Sequence, residues 1–489
     1  MGFFLGILLG GCSSSGSQTS IDPLTDLRNP NLLIATRTEA IAQAWDLVES
    51  GQANRRETRE VLKALAWSGK APLELRLAVL GTLLGDEASE EDSRQLVALM
   101  LPREPRLEVI GLLAQVAQEQ RWLEATTSLV RSLSRVDSQT PDTVRPEYVA
   151  IQSLHPDRSV EEIVFDVFVE PPNQPDRFGI DWAERARADA WDVLARLDGD
   201  GTIRTDLLAK HKDSPQKVVQ DLQACMEDLW CIPLGGEELK WLRSLREQTN
   251  EGQARWWADA AQAIARIKSS DTSHGLRIRH AEPIRWAFEN QREWIGASRG
   301  DLLEELRSRL DRRKKHPRRE ENAATVPVSE RLDSWESILS WADILSILVV
   351  DEAVHAPSIA TKIFEYAALD HDDRTTEYGG LLEARAERAF AAILYPPRPS
   401  QRGGDRTFVA STDMIERGDR SLAHYHLHVQ ETFNSSFAGP SRDDLRYAAR
   451  SGRICIVFTS VDNSTMGVDV YLPTGVVIDL GEIDFPGNE

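Results

Sequence analysis

The sequence predicts a multidomain protein in which an all-α N-terminal region precedes a C-terminal α+β domain. Three observations carry this expectation. The 489 residues exceed what one hydrophobic core normally serves. All 13 tryptophans lie between Trp45 and Trp341. Near residue 340 the apolar pattern changes from a helical period to short runs rich in β-branched and aromatic residues. Hydrophobic content of 41% and charged content of 28% are ordinary for a globular chain. The net charge of −21 repels phosphate backbones and argues against general nucleic-acid binding.

Residues 1–33 read as a signal segment and flexible linker. MGFFLGILLGGCSSSGSQTS begins with an apolar run too short to span a membrane and breaks at Leu-Gly-Gly-Cys into serine and glycine. This resembles the end of a bacterial lipoprotein signal peptide. The resemblance implies a lipid on Cys12 and a membrane-anchored location in the cell envelope. No Lys or Arg precedes Cys12, where such segments usually carry positive charge.

Residues 34–150 repeat a helical pair about every 34 residues. RTEAIAQAWDLV, PLELRLAVLGTLL and PRLEVIGLLAQVA alternate with RETREVLKALAW, EEDSRQLVALML and WLEATTSLVRSL. Leu77, Leu80 and Leu84, like Ile110, Leu113 and Val116, have the spacing of a one-faced helix. The pattern is similar to HEAT-type α-solenoids; a helical bundle is the other arrangement it allows. Such an array implies a surface for a protein partner.

Residues 151–312 continue as helices, broken at EPPNQPDRFG, DGDG and SSDTSHG. LDGDGTIRTDLL at 197–208 has aspartates at calcium-loop spacing. Arg196 would take the first ligand position and Leu207 the twelfth, so the segment reads as a helix-to-helix turn. Cys225 and Cys231 bridge only if their helix ends between or just after them; two buried free thiols are the preferred reading. Residues 313–339 form a charged linker and connecting helix, and RRKKHPRR at 312–319 reads as solvated.

Residues 340–489 carry the β-rich runs FAAILYPP, RTFVAST, AHYHLHV, RICIVFTS, GVDVYLPTG and VVIDLGEI. On a strand, AHYHLHV sends His424, His426 and His428 to one face and Tyr425, Leu427 and Val429 to the other. Two imidazoles two residues apart can reach one zinc ion at about 2.0–2.1 Å. Without a metal or carboxylates, three adjacent histidines would be mutually repelling protonatable groups. In GPSRDDLRYAARSG, Ser441 suits a helix N-cap and Asp444 falls in the first turn. Folded back over the strand, Asp444 would be a third ligand and leave one open position. Glu377 precedes Gly-Gly-Leu-Leu, a strand whose glycines permit close approach.

Together these residues resemble the JAMM motif of the JAB/MPN metalloprotease family. The elements are Glu377 in EYGGLL, His426 and His428 in HLH, and Ser441 with Asp444 in SRDD. The preceding SIATKIFEYAALDH suits the family's first helix, and the resemblance covers a little under a third of the chain. It implies Zn²⁺ held by His426, His428 and Asp444. It also implies Glu377 as the group that takes a proton from the attacking water, and Ser441 as donor to the oxyanion. The implied substrates are peptides or proteins cleaved at peptide or isopeptide bonds. Two departures stand out: Val429 replaces the proline that usually follows the second histidine, and the gap to Asp444, residues 429–443, is longer than in the family. VQETFNSSFAGP must therefore bulge as a loop over the site. A register with His424 and His426 as ligands is the alternative; it lengthens that gap further, so His424 is placed beside the ligands. The reading is a zinc peptidase or isopeptidase (a hydrolase); a non-catalytic lipoprotein scaffold with a binding module is its rival.

Overall fold

The computed structural model describes residues 22–486 except 138, 173–180, 248–250, 268–274 and 316–328. Cys12 lies outside the described residues. The chain forms two compact units, one ending at Ile163 and the other beginning at Val164.

The first unit contains α1 (Pro23–Arg28), α2 (Ile34–Glu49), α3 (Arg55–Ala66), α4 (Leu73–Leu84), α5 (Glu90–Met100), α6 (Leu107–Glu119), α7 (Thr126–Leu133) and α8 (Pro146–Leu154). Helical order thus begins inside the expected flexible linker: Asp22 caps α1, and Leu27 is fully buried. Helices α2, α4, α6 and α8 pack each on the next as one layer. In α4 the buried stripe is Leu75, Val79, Leu80, Leu83 and Leu84, while Leu77 is only half-buried. The apolar face is therefore rotated slightly from the expected one.

Buried arginines tie the helix ends together. Arg37 Nε donates to Leu27 O at 2.9 Å, and Arg76 Nε donates to Ala66 O at 2.9 Å. Arg145 reaches Leu133 O and Ser132 O at 3.1 Å each. Each guanidinium closes carbonyls at the end of the preceding helix, which lack intrahelical partners. Burial requires that these charges be paired: Arg76 faces buried Glu104, and Arg145 faces buried Glu147.

The second unit takes in most of α9 (Val160–Val169). It continues through α10 (Trp182–Leu197), α11 (Thr202–Lys210), α12 (Lys217–Asp228), α13 (Gly236–Glu247), α14 (Glu251–Ile264), α15 (Ala281–Asn290), α16 (Arg292–Gly296) and α17 (Arg299–Asp311). Between α10 and α11 the calcium-like sequence is a helix-to-helix turn. Asp198 accepts from Ile203 N and Arg204 N and pairs with the buried Arg204.

After these come α18 (Trp341–Val354), α19 (Pro357–Asp372), β1 (Gly379–Ala384), β2 (Phe390–Leu394), α20 (Thr412–Arg417), β3 (Ala423–His428), α21 (Arg442–Ser451), β4 (Cys455–Ser460), β5 (Thr465–Tyr471) and β6 (Val477–Asp484). The sheet is mixed, in the order β2-β1-β3-β4-β5-β6. Only β3 and β4 are parallel, joined by the α21 crossover. RTFVAST is not a strand: Thr407 O accepts from Glu377 N, and Ser411 then caps α20.

The helical region from Val164 onward and the sheet fall within one compact unit. Trp241 Nε1 of α13 donates to Asp419 O at 2.8 Å, and Arg453 lies 3.5 Å over the Trp241 ring. Asp343 of α18 accepts from Arg279 at 3.0 Å. The start of the basic run is likewise docked. Arg313 donates to Leu480 O at 3.0 Å and pairs with buried Asp351, and Glu482 N donates to Lys314 O. These contacts cover the otherwise open edge of β6. Among the described residues no single helix is long and apolar enough to cross a membrane. The pair α18 and α19 qualifies only with a 73° bend, and α18 is buried along its length.

Arg76→Ala leaves Glu104 buried without its cation and is expected to cost about 3–5 kcal/mol of stability in denaturant unfolding. Adding Glu104→Leu should recover most of that loss.

Candidate metal centre

β3 lies inside the sheet between β1 and β4, and all six of its residues are buried. Alternation sends the histidines to the side covered by α21. Their neighbours in register, Cys455 opposite His424 and Val457 opposite His426, belong to the apolar cluster under that helix. On the other side of β3, β1 pairs Gly379 with His426 and Gly380 with Tyr425. A Cβ on Gly379 would overlap Tyr425 O and Phe408, and one on Gly380 would overlap Ile393 O. These two glycines let the strands close tightly beside the histidines.

The imidazoles of His426 and His428 face each other with Nε2 atoms 3.1 Å apart. Asp444 Oδ2 lies 3.5 Å from His426 Nε2 and 4.0 Å from His428 Nε2. Glu377 Oε1 is 4.0 Å from His428 Nε2. Glu377, His426 and His428 bring one donor atom each within 4.8 Å of one another. Donors about 2.0–2.1 Å from a tetrahedral cation stand about 3.3–3.4 Å apart. The His426–His428 and His426–Asp444 separations lie near those edges, whereas Asp444 and Glu377 each stand 4.0 Å from His428 and would have to close in on a cation.

Each donor is aimed by a contact of its own. His428 Nδ1 is 2.8 Å from Phe437 O; a carbonyl only accepts, so Nδ1 carries the proton and the Nε2 lone pair faces the site. The His426 ring stacks on Phe408, with centroids 5.9 Å apart and planes 7° apart. Asp444 is fixed by a capping box: Ser441 N donates to Oδ2 at 2.7 Å, and Asp444 N donates to Ser441 Oγ at 3.2 Å. The Ser441 hydroxyl keeps its own proton to donate. Gln430 Nε2 donates to Glu377 Oε1 at 2.6 Å, and Asn434 Nδ2 donates to Gln430 Oε1 at 2.8 Å. Asn434 is buried, and its backbone N–H donates to Ser460 O at 2.9 Å.

The electrostatics follow this crowding. Burial pushes the Glu377 carboxyl up to about 8, opposed by His426 and Gln430 and reinforced by Asp444 and Asp370. Burial works against ionised Asp444 as well, yet His426, His428 and the Ser441 N–H hold it well below the usual carboxylate range. For His426, burial disfavours the cation, but Asp444, Glu377 and Asp370 outweigh it and raise the imidazole above its ordinary value.

The structure thus brings together Glu377, His426, His428 and Asp444, with Ser441 adjoining. It does not bring in His424. Its Nδ1 is 2.7 Å from the Tyr447 hydroxyl, and its Nε2 abuts Gly418, where an added Cβ would stand 2.7 Å away. The alternative register with His424 as ligand is therefore not the one adopted; the ring is held by α21 instead.

The insert after His428 folds back on the site through Gln430, Asn434 and Phe437, with Phe433 at its tip 74% exposed. Gln430 and Asn434 were missed by sequence reasoning. The signal for Gln430 was present, since 430 continues the alternation 424, 426, 428. No family model, curated protein or solved structure matches the chain.

With its carboxyl pushed up to about 8, Glu377 largely holds its proton at pH 7, His426 is shifted toward its protonated form, and a cation opposes both protons. Titrating the metal-free protein with zinc should release about one to two protons per ion bound. Calorimetry in buffers of different ionisation enthalpy measures this; release near zero would contradict the geometry.

Proposed function

We propose that the C-terminal part of the second unit is a zinc-dependent peptidase or isopeptidase of the JAB/MPN type. One observation carries the reading: four side chains from three separated segments, in the order the JAMM pattern requires, converge with donor distances of 3.1–4.0 Å. Two nitrogens and one carboxylate form a donor set suited to zinc. Zinc bound there would act as a Lewis acid toward the scissile carbonyl and the attacking water.

The residues of the chain supply the rest. A cation beside Glu377 favours its carboxylate, which then takes the proton of the attacking water and returns it to the leaving amine. Gln430, backed by Asn434, holds one oxygen of Glu377 in place during both transfers. Ser441 Oγ accepts from the helix and donates toward the oxygen that gains negative charge. His428 is kept in one tautomer by Phe437 O, and His426 is kept in plane by Phe408.

Two wider elements of the proposal rest on the sequence alone. One is lipid attachment at Cys12 and hence anchoring in the cell envelope. The other is use of the helical first unit as a surface for a protein partner or substrate.

The full chain, purified and analysed by atomic emission, should carry about one zinc, lost in His426→Ala and Asp444→Ala. A mixed peptide library digested in ¹⁸O-water reports new carboxyl termini by mass spectrometry. Glu377→Gln should keep its zinc and lose turnover by about 10²–10⁴-fold. A chain that binds zinc but yields no labelled termini would replace the peptidase reading with the scaffold one. Gln430→Ala should retain zinc and lower kcat by about 10-fold or more with KM little changed.

A further inference from the structure

We propose that Cys225 and Cys231 close into an intrachain disulfide that locks the end of α12, with Cys231 as the thiol that meets the oxidant. This is independent of the metal-centre reading.

The geometry begins with the helix end. α12 stops at Asp228, between the two cysteines. Leu229 caps it, and Trp230 follows with φ of 53°. That left-handed conformation usually falls to glycine at a helix C-terminus, because a Cβ there crowds the next carbonyl. Here a tryptophan holds it with its side chain 39% exposed, so burial of the indole does not account for the strain. The strained residue reverses the chain and returns Cys231 toward the helix. Beyond it, Pro233 O is pinned by Trp191 Nε1 at 3.0 Å and by Arg204 Nη1 at 2.9 Å.

Held from both sides, the turn sets Cys231 Sγ 3.5 Å from Cys225 Sγ. Both residues are buried, at 5% and 0% exposure. A disulfide needs about 2.05 Å between sulfurs, a gap that side-chain rotation can close.

The two thiols differ in access. Cys231 lines an open cavity of about 380 Å³ together with Met226, Trp230, Arg204 and Arg277, and Cys225 does not. The positive charge of Arg277 lies close enough to interact with Cys231. The hydrogen bond with Cys231, together with burial, raises the Cys225 thiol well above its usual value, so Cys225 is the poorer first nucleophile as well as the less accessible one.

The oxidant is a disulfide of small size or on the surface of another protein. Cys231 Sγ, as thiolate, attacks one sulfur of the donor. The donor S–S bond breaks, its first thiolate leaves and takes up a proton, and a mixed disulfide forms on Cys231. Cys225 Sγ loses its proton and attacks Cys231 Sγ, and the second donor thiol departs. In sum, the two cysteines lose two protons and two electrons, and the donor disulfide becomes two thiols. The third buried cysteine, Cys455, sits apart in β4.

The test uses the folded full chain and oxidised glutathione. After incubation, free thiols are alkylated in denaturant and the protein is digested with trypsin. One tryptic peptide, Val218–Lys240, contains both cysteines. It should appear unalkylated and lighter than the dithiol form by two hydrogens, and a reductant should reverse this. Cys225→Ser should accumulate glutathione on Cys231, whereas Cys231→Ser should leave Cys225 unmodified. A reductant should lower the melting temperature of the oxidised wild type and leave that of Cys225→Ser unchanged. The proposal is overturned if both cysteines remain alkylatable after oxidation, or if either pairs with Cys455. Glutathione found on Cys225 rather than Cys231 would overturn the order of attack. Should the serine variants fail to fold, the peptide mass of the wild type still decides.

Discussion

A bare polar group is costly on a strand buried on both faces. β3 carries His424, His426 and His428 on one face, and water does not reach the three rings freely. Each unsatisfied polar group in such a place costs about 1–3 kcal/mol. Much of the surrounding structure answers that constraint. Tyr447 takes Nδ1 of His424 and leaves its Nε2 without a hydrogen bond, Phe437 O takes the Nδ1 proton of His428, and Glu377 takes the Gln430 amide. The two Nε2 atoms of His426 and His428 face each other and Asp444, an arrangement that a shared proton can satisfy in part and a cation in full.

The same constraint explains why the carboxylate comes from a helix start. Asp444 sits three residues after its N-cap, where a capping box already requires its oxygen to point back at the Ser441 N–H. The helix end thus fixes the carboxylate independently of any bound ion. The carboxylate is therefore preorganised, and its charge also suits the positive end of α21. α21 packs across β3 with Asp444 opposite His426 and His428, and with Tyr447, three residues on, opposite His424. One helix consequently serves both the donor set and the histidine outside it.

What the sequence made legible follows from which signals are local. Strand alternation placed His426 and His428 together, and the cap pattern at Ser441 placed Asp444, because both depend on residues a few positions apart. The strand after Glu377 was legible from its glycines, whereas the helix over SIATKIFEYAALDH was expected only from the family resemblance. RTFVAST was read as a strand from its β-branched residues, but it lies where the chain must cross from β2 to α20, and tertiary context prevailed over propensity. The union of helices 164–311 with the sheet was not legible. It rests on contacts such as Trp241 with Asp419 and Arg279 with Asp343, between residues far apart in sequence with no pattern to announce them. His424 was ambiguous because alternation assigns a face, not a partner; Tyr447 decides it from another element.

Two features of the segment after the second histidine, Val429 and the long insert, are physically linked. A proline at 429 would fix φ near about −65° and tend to end the extended run directly after His428. Valine favours extended backbone, so the chain can carry on with the same alternation and deliver Gln430 to the face of the histidines. Val429 is itself buried, and its carbonyl is 3.0 Å from His371 Nδ1 on α19, which anchors the strand end. From Gln430 the chain needs enough length to turn, bury Asn434 behind it and bring Phe437 O back to His428. A shorter connection would have less chain with which to make both contacts. The insert is thus the part of the chain that holds the glutamate and one histidine in place, and the valine is what allows it to begin there.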